Sequence, residues 1–195
     1  MQKRAFIIHG YLGYPDEAWL PWLRRQLVER GYVVSLPLMP NPAGPTIEEW
    51  VGFIAALVGE PDRETAMVGH SIGGQAVVRY LERLGAAGKS VGRTVLVASG
   101  FPPGLPRAEA EAVAEGDRVL VPWLTVGVDA GLVKTAAGKC TAILSDDDPY
   151  IDAGTAESGL RAALDPRIVI EHSKGHLNDE SGLTELPSAL QAVVS

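Results

Sequence analysis

Apolar residues along this chain follow two rhythms. Short, nearly unbroken apolar runs at Arg4–Ile8, Tyr32–Leu36, Thr65–Val68, Arg93–Ala98, Cys140–Leu144 and Ile168–Glu171 read as strands, and those at Arg4–Ile8, Thr65–Val68, Arg93–Ala98 and Cys140–Leu144 as buried ones. Between them, apolar positions recur at three- and four-residue steps, the spacing of one helix face. Trp19, Trp22, Leu23 and Leu27 mark a helix over Asp16–Arg30, stopped by Gly31. Thr46, with Glu49 three residues on, is an N-cap for a helix reaching about Val58. Val77, Tyr80, Leu81 and Leu84 share a face over Gln75–Leu84, and Thr155–Leu164 forms a further helix. Leu183, Leu186, Leu190 and Val194 lie on one stripe of a final helix over Glu180–Val194. Six strands alternating with helices predict an α/β fold: a doubly wound, mainly parallel sheet with helices on both faces.

Two intervals break the rhythm. Pro37, Pro40, Pro42 and Pro45 make a rigid, non-helical loop, because proline fixes its own φ and donates no N–H. From Phe101 to Gly138 the pattern is poorer, with Pro102, Pro103, Pro106 and Pro122 around an acidic helical piece near Glu109–Glu115. This interval reads as a short lid-like excursion around 101–138 on a single domain spanning 1–195. Trp19, Trp22 and Trp123 each admit two readings, a core anchor or the wall of a substrate mouth.

Composition narrows the partners. With 195 residues, 46% hydrophobic, and a net charge of −7, the chain suits one soluble domain and disfavours nucleic acid or an anionic membrane. Lone Cys140 excludes an intramolecular disulfide and lies in a strand, where it reads as a small core residue. The apolar run Ala5–Ile8 is too short for a signal peptide's core, and nothing approaches a membrane span, so a cytoplasmic protein is expected. No exposed apolar stripe demands a partner, and a monomer is expected.

The candidate chemistry centres on Gly69-His70-Ser71-Ile72-Gly73, a Gly-x-Ser-x-Gly pattern between a buried strand and an amphipathic helix. That context is the nucleophile elbow of α/β-hydrolases, where a strained serine exposes its hydroxyl and flanking glycines avoid collisions. After the first strand, His9-Gly10-Tyr11-Leu12-Gly13 can turn backbone N–H groups outward. In the elbow geometry the oxyanion donors are then the N–H groups of Tyr11 and Ile72. Asp146, Asp147 and Asp148 follow the fifth strand as a turn-forming acidic run, without the further ligands that a cation site needs, so no metal is expected. His172 ends the sixth strand and His176 lies beyond it, free to point at Ser71, while His172 stays the second choice of base. Ser71, then an aspartate, then His176 is the α/β-hydrolase order of a Ser-His-Asp triad. Loop adjacency adds Trp123 and Leu177 as possible substrate-binding residues.

Several pieces together resemble a known family. Ile7-Ile8-His9-Gly10, Met39-Pro40-Asn41-Pro42, Gly69-His70-Ser71 with Arg79-Tyr80, Asp147-Asp148-Pro149 and Gly175-His176 are similar to the small serine hydrolases grouped with bacterial YdeN and retinoblastoma-binding protein nine. The resemblance spans residues 7 to 176. It implies a compact α/β-hydrolase with a reduced cap, acting without a cofactor on small ester or amide-like substrates. The family's acid begins an Asp-x-x-aliphatic-Pro run, which maps onto Asp148-Pro149-Tyr150-Ile151; Asp152 stands where proline is usual, which keeps Asp147 open as the acid. A carboxylesterase is expected. Its alternatives are a peptidase or thioesterase with the same triad, or a protein-interaction module that retains the fold.

Overall fold

The computed structural model describes residues 2–114 and 117–195, so Glu115, the end of the expected acidic helical piece, lies outside the described residues. Six strands form one sheet: β1 (Arg4–Ile8), β2 (Val33–Ser35), β3 (Thr65–His70), β4 (Arg93–Val97), β5 (Lys139–Ser145) and β6 (Arg167–Glu171). Their order is β2-β1-β3-β4-β5-β6 and every pairing is parallel. Burial of both faces explains the apolar runs of the four inner strands, whereas the edge strands β2 and β6 are only half-buried and Val33 is exposed. Phe6, Ile8, Met67, Leu96, Ala142 and Leu144 face one layer of helices, while Ala5, Ile7, Ala66, Val68, Val95, Val97 and Ile143 face the other. Each large side chain so buried contributes roughly 1.5–3 kcal/mol.

Helices α1 (Leu20–Glu29) and α8 (Pro187–Val194) cover the second face. Helices α2 (Ile47–Val58), α3 (Ile72–Ala86), α6 (Ala130–Ala136) and α7 (Ala153–Ala163) cover the first. The Thr46 side chain caps α2 by accepting the Glu49 N–H.

Two helices start later than their apolar spacing predicts. α1 begins at Leu20 rather than Asp16: Ala18 has φ 48°, which no helix propagates, and Pro21 suits a first turn. The final helix begins at Pro187 rather than Glu180. Asp179–Ser181 is an isolated 3-10 turn ended by left-handed Gly182, so Leu183 and Leu186 lie outside α8. Periodicity cannot see either break, because both depend on backbone conformation.

The 101–138 interval divides. α6 is a layer helix whose Val133 and Ala136 are fully buried in the core. Only the part before it, with α4 (Arg107–Val113) and α5 (Val121–Thr125), is an excursion, and Ala110, Ala114 and Val121 give it a small cluster of its own. Arg79 of α3 ties the excursion down. Its guanidinium is buried and donates through Nη2 to the carbonyls of Trp123 at 2.9 Å and Val126 at 2.7 Å. Among the described residues, no helix is long and apolar enough to cross a membrane.

Candidate active site

β3 runs directly into α3, and the turn between them falls on Ser71, at φ 52° and ψ −123°. A non-glycine residue there stores on the order of 1–3 kcal/mol of strain, which its surroundings must offset. Ser71 is held by its N–H, which donates to the Val97 carbonyl at 2.9 Å. The flanking glycines are required by contact. A Cβ built on Gly69 would lie 2.5 Å from Gly74 Cα, and one on Gly73 would lie 2.3 Å from the His9 carbonyl oxygen. Gly73 therefore admits β1 alongside α3, a constraint from a strand distant in sequence.

The loop after β6 brings His176 to the serine. His176 Nε2 lies 3.0 Å from Ser71 Oγ, and its Nδ1 lies 2.8 Å from Asp148 Oδ2. The side chains of Asp148 and His176 are 2% and 10% exposed, so their contact is screened little by water. Asp148 Oδ1 also accepts the N–H groups of Tyr150 at 2.9 Å and Ile151 at 3.1 Å. The Tyr150 ring stands edge-on to His176, with centroids 5.0 Å apart.

The acidic run does more than turn the chain, because each aspartate binds a different part of the histidine loop. Asp146 accepts the Ser173 N–H at 2.8 Å and lies 2.5 Å from His172 Nδ1. Asp147 accepts the Gly175 N–H and the Ser145 hydroxyl, both at 2.7 Å. Asp148 takes the His176 ring. Asp147 thus faces backbone and Ser145 rather than an imidazole, and His172 pairs with Asp146 at the surface. The Ser173 N–H, then His172, hold the Asp146 carboxyl below its ordinary range; the Ser145 hydroxyl, then the Gly175 N–H, do so for Asp147. Asp146 in turn raises the His172 pKa.

The other two histidines are buried and used structurally. His9 Nε2 accepts the Met39 N–H at 2.9 Å, so its proton resides on Nδ1, which donates to the Gly10 carbonyl at 2.8 Å. This bond and Leu12 N–H to Pro42 carbonyl fasten the first loop to the proline-rich loop. Burial pushes the His9 pKa down. His70 donates from Nε2 to the His176 carbonyl at 2.9 Å.

The first loop reaches the elbow, since a Cβ on Gly10 would lie 3.2 Å from Ser71 Cβ. Among the described residues, the N–H groups of Tyr11 and Ile72 donate to no protein acceptor. The Tyr11 hydroxyl meets Asp117, which raises its pKa.

Two expected pocket residues are placed otherwise. Trp123 is fully buried, donates Nε1 to the Pro45 carbonyl at 3.0 Å and packs against Trp50. Leu177 is fully buried against the α1–α8 layer. Large apolar side chains near a strand edge gain more from the core than from water, and neither offers its side chain to a substrate. Trp19 is likewise core, and its Nε1 donates to the Leu177 carbonyl at 2.8 Å. Among the described residues, the exposed aromatics are Tyr14 and Tyr150, which sequence spacing did not single out. Both lean on the 3-10 turn: the Tyr14 hydroxyl donates to Asp179 at 2.5 Å and that of Tyr150 meets Glu180 at 3.4 Å. Among the described residues, no group of three or more His, Cys, Asp or Glu could hold a metal ion.

Comparison with known proteins covers nearly the whole chain. The serine hydrolase family model matches residues 5–195. The chain is 28% identical to YdeN of Bacillus subtilis over 195 residues, covering 100% of this chain and 96% of YdeN. It superposes on the crystal structure of the B. subtilis ydeN gene product with a TM-score of 0.81 at 26% identity, covering 97% of this chain and 95% of that one. The ferulic acid complex of Est1E from Butyrivibrio proteoclasticus has the same fold, with a TM-score of 0.70 at 16% identity over 97% of this chain and 86% of that one.

Proposed function

This chain belongs to the serine hydrolase family, and on that premise we propose that it is a carboxylesterase cleaving small acyl esters through an acyl-enzyme. The observation that carries the reading is one line of contacts: Ser71 Oγ to His176 Nε2 at 3.0 Å, and His176 Nδ1 to Asp148 at 2.8 Å. Asp148 holds the proton of His176 on Nδ1, which leaves a lone pair on Nε2 facing the serine. As Ser71 Oγ attacks the ester carbonyl, its proton passes to Nε2 and the Asp148 carboxylate stabilises the imidazolium. Negative charge gathers on the carbonyl oxygen, where the N–H groups of Tyr11 and Ile72 receive it. Collapse expels the alcohol, which takes the proton from Nε2. Water, deprotonated by His176, then releases the acid from Ser71. The chemistry requires no cofactor.

In this reading Tyr14 and Tyr150 wall the mouth in place of Trp123 and Leu177. The 101–128 segment is the reduced cap of a single domain. A wall of exposed rings beside the base suits a small acyl or aryl ester, bound mainly by apolar contact. Est1E, a structural neighbour, is named with ferulic acid, and another neighbour with the fold is a carboxylesterase of Nitrososphaera gargenis.

A fluorophosphonate probe tests the reading, because it reacts with a serine only when a base activates it. The parent protein is expected to label, and Ser71→Ala and His176→Ala are expected not to. A p-nitrophenyl ester series of increasing acyl length would then give the substrate range. A folded parent that neither labels nor hydrolyses any ester would overturn the proposal.

A further inference from the structure

The loop that carries His176 is not self-supporting. Ser173, Gly175 and Leu177 all have φ between 53° and 54°. For Ser173 and Leu177 that left-handed backbone costs on the order of 1 kcal/mol each. Such a loop keeps its shape only where contacts over-determine it. The aspartates hold its outer side. Its inner side, next to the serine, is held by two ring N–H groups: His70 Nε2 to the His176 carbonyl at 2.9 Å, and Trp19 Nε1 to the Leu177 carbonyl at 2.8 Å. The rings of Trp19 and His70 meet edge to face at 6.2 Å, so the two latches brace one another.

We propose that His70 is a positioning residue for the hydrolytic reaction, which fixes the base relative to the nucleophile by binding the main chain of His176 from the position next to Ser71. This rests on the serine hydrolase reading above. The dipeptide His70–Ser71 then grips His176 at both ends. Residue 70 holds its carbonyl, while the hydroxyl of residue 71 meets its Nε2 at 3.0 Å. A shift of the histidine loop would break both bonds at once, so the register of base and nucleophile is set within two residues. A displacement of about 1 Å at such a pair is enough to cost about 10²-fold in rate.

The arrangement requires a proton on His70 Nε2, since a carbonyl oxygen can only accept, and the site also keeps the ring neutral. Its surroundings impose that. His70 is 4% exposed, and its ring centroid lies 5.1 Å from that of His176. Burial, followed by the nearby His176, pushes the His70 pKa down to about 4, with His9 acting in the same direction and the His176 carbonyl and Asp148 opposing. A neutral neighbour also leaves room for the positive charge that His176 gains during acyl transfer, whereas a second imidazolium at that distance would oppose it.

Two variants separate the latch from simple core filling. His70→Leu fills the space without a donor, and His70→Gln returns an N–H near the position of Nε2. With p-nitrophenyl acetate, His70→Leu is expected to lose about 10- to 100-fold in kcat with KM little changed, the pattern of lost transition-state positioning. His70→Gln is expected to recover most of that loss. Equal kcat for His70→Leu and the parent, or equal loss in both variants, would overturn the proposal. A second measurement uses no substrate. Long-range nitrogen–proton NMR of the parent should show His70 neutral and protonated on Nε2 at pH 6, and the His176 ring signals should move in His70→Gln less than in His70→Leu. A proton on His70 Nδ1 would overturn the latch whether or not any ester is cleaved. Absence of hydrolysis by the parent would sink only the hydrolase reading.

Discussion

Asp148→Asn is the change whose consequence the geometry specifies most closely. The replacement amide has two orientations, and the backbone chooses between them. Oδ1 accepts the N–H groups of Tyr150 and Ile151, at 2.9 and 3.1 Å, so the asparagine oxygen must stay there. Turned the other way, its NH₂ would oppose two N–H donors in a site only 2% exposed. The NH₂ therefore takes the place of Oδ2, the nearer oxygen to His176 Nδ1 at 2.8 Å against 3.0 Å for Oδ1, and its N–H there opposes the ring N–H. His176 answers by moving its proton to Nε2, which then points an N–H at Ser71 and cannot accept the serine proton. In serine proteases the same tautomer error costs about 10⁴-fold in kcat. At 1.36 kcal/mol per factor of ten that is about 5.4 kcal/mol of barrier. Asp147→Asn makes a contrasting control. Its oxygen can still accept from Ser145 and Gly175, and no imidazole faces it, so kcat should stay within about tenfold of the parent. Steady-state hydrolysis of p-nitrophenyl acetate measures both, with thermal melts checking that both variants fold. A folded Asp148→Asn protein within tenfold of the parent, beside an Asp147→Asn protein reduced by 10³ or more, would refute the reasoning and transfer the acid's role to Asp147.

The surface pair His172–Asp146 should leave a pH signature in stability. His172 has its folded pKa raised above the ordinary 6.5, so its contribution is complete below that value and is lost as pH rises through the raised one. Asp146 is depressed below 3.8, so its contribution is present above that value and is lost as pH falls through the lowered one. The melting temperature of the parent should exceed that of His172→Ala at pH 5–6, and the gap should narrow by pH 8; a gap constant with pH would contradict the assignment. Arg79→Met removes the donor shared by the Trp123 and Val126 carbonyls and should cost about 2 kcal/mol in denaturant unfolding. Limited proteolysis should cut the 101–128 segment faster in that variant, and an unchanged cleavage rate would remove Arg79 as the anchor of the excursion.

What the sequence determined by itself is local in origin. Apolar runs alternating with helical stripes mark six strands of a parallel sheet, and in its four inner strands those runs are covered on both faces. The elbow was legible for the same reason: strand, glycine, serine, glycine and helix are contiguous, and their steric conflict arises within a few residues. Chain order alone also put Ser71, an aspartate and His176 at one edge of a parallel sheet. The choice between Asp147 and Asp148 was not local. Adjacent residues in a turn point in different directions, and only the folded loops show Asp148 buried against the His176 ring while Asp147 holds Ser145 and Gly175. The late starts of α1 and α8 depend on positive-φ residues that apolar spacing does not register. Trp123 and Leu177 lie close in sequence to site loops, yet the core competes for large apolar side chains and takes both. The same holds for His70: read along the chain it is the variable residue of an elbow, and its contact with the His176 carbonyl spans 106 residues. A hydrogen bond across that separation is specified by strand order and loop packing, which exist only once the sheet has assembled.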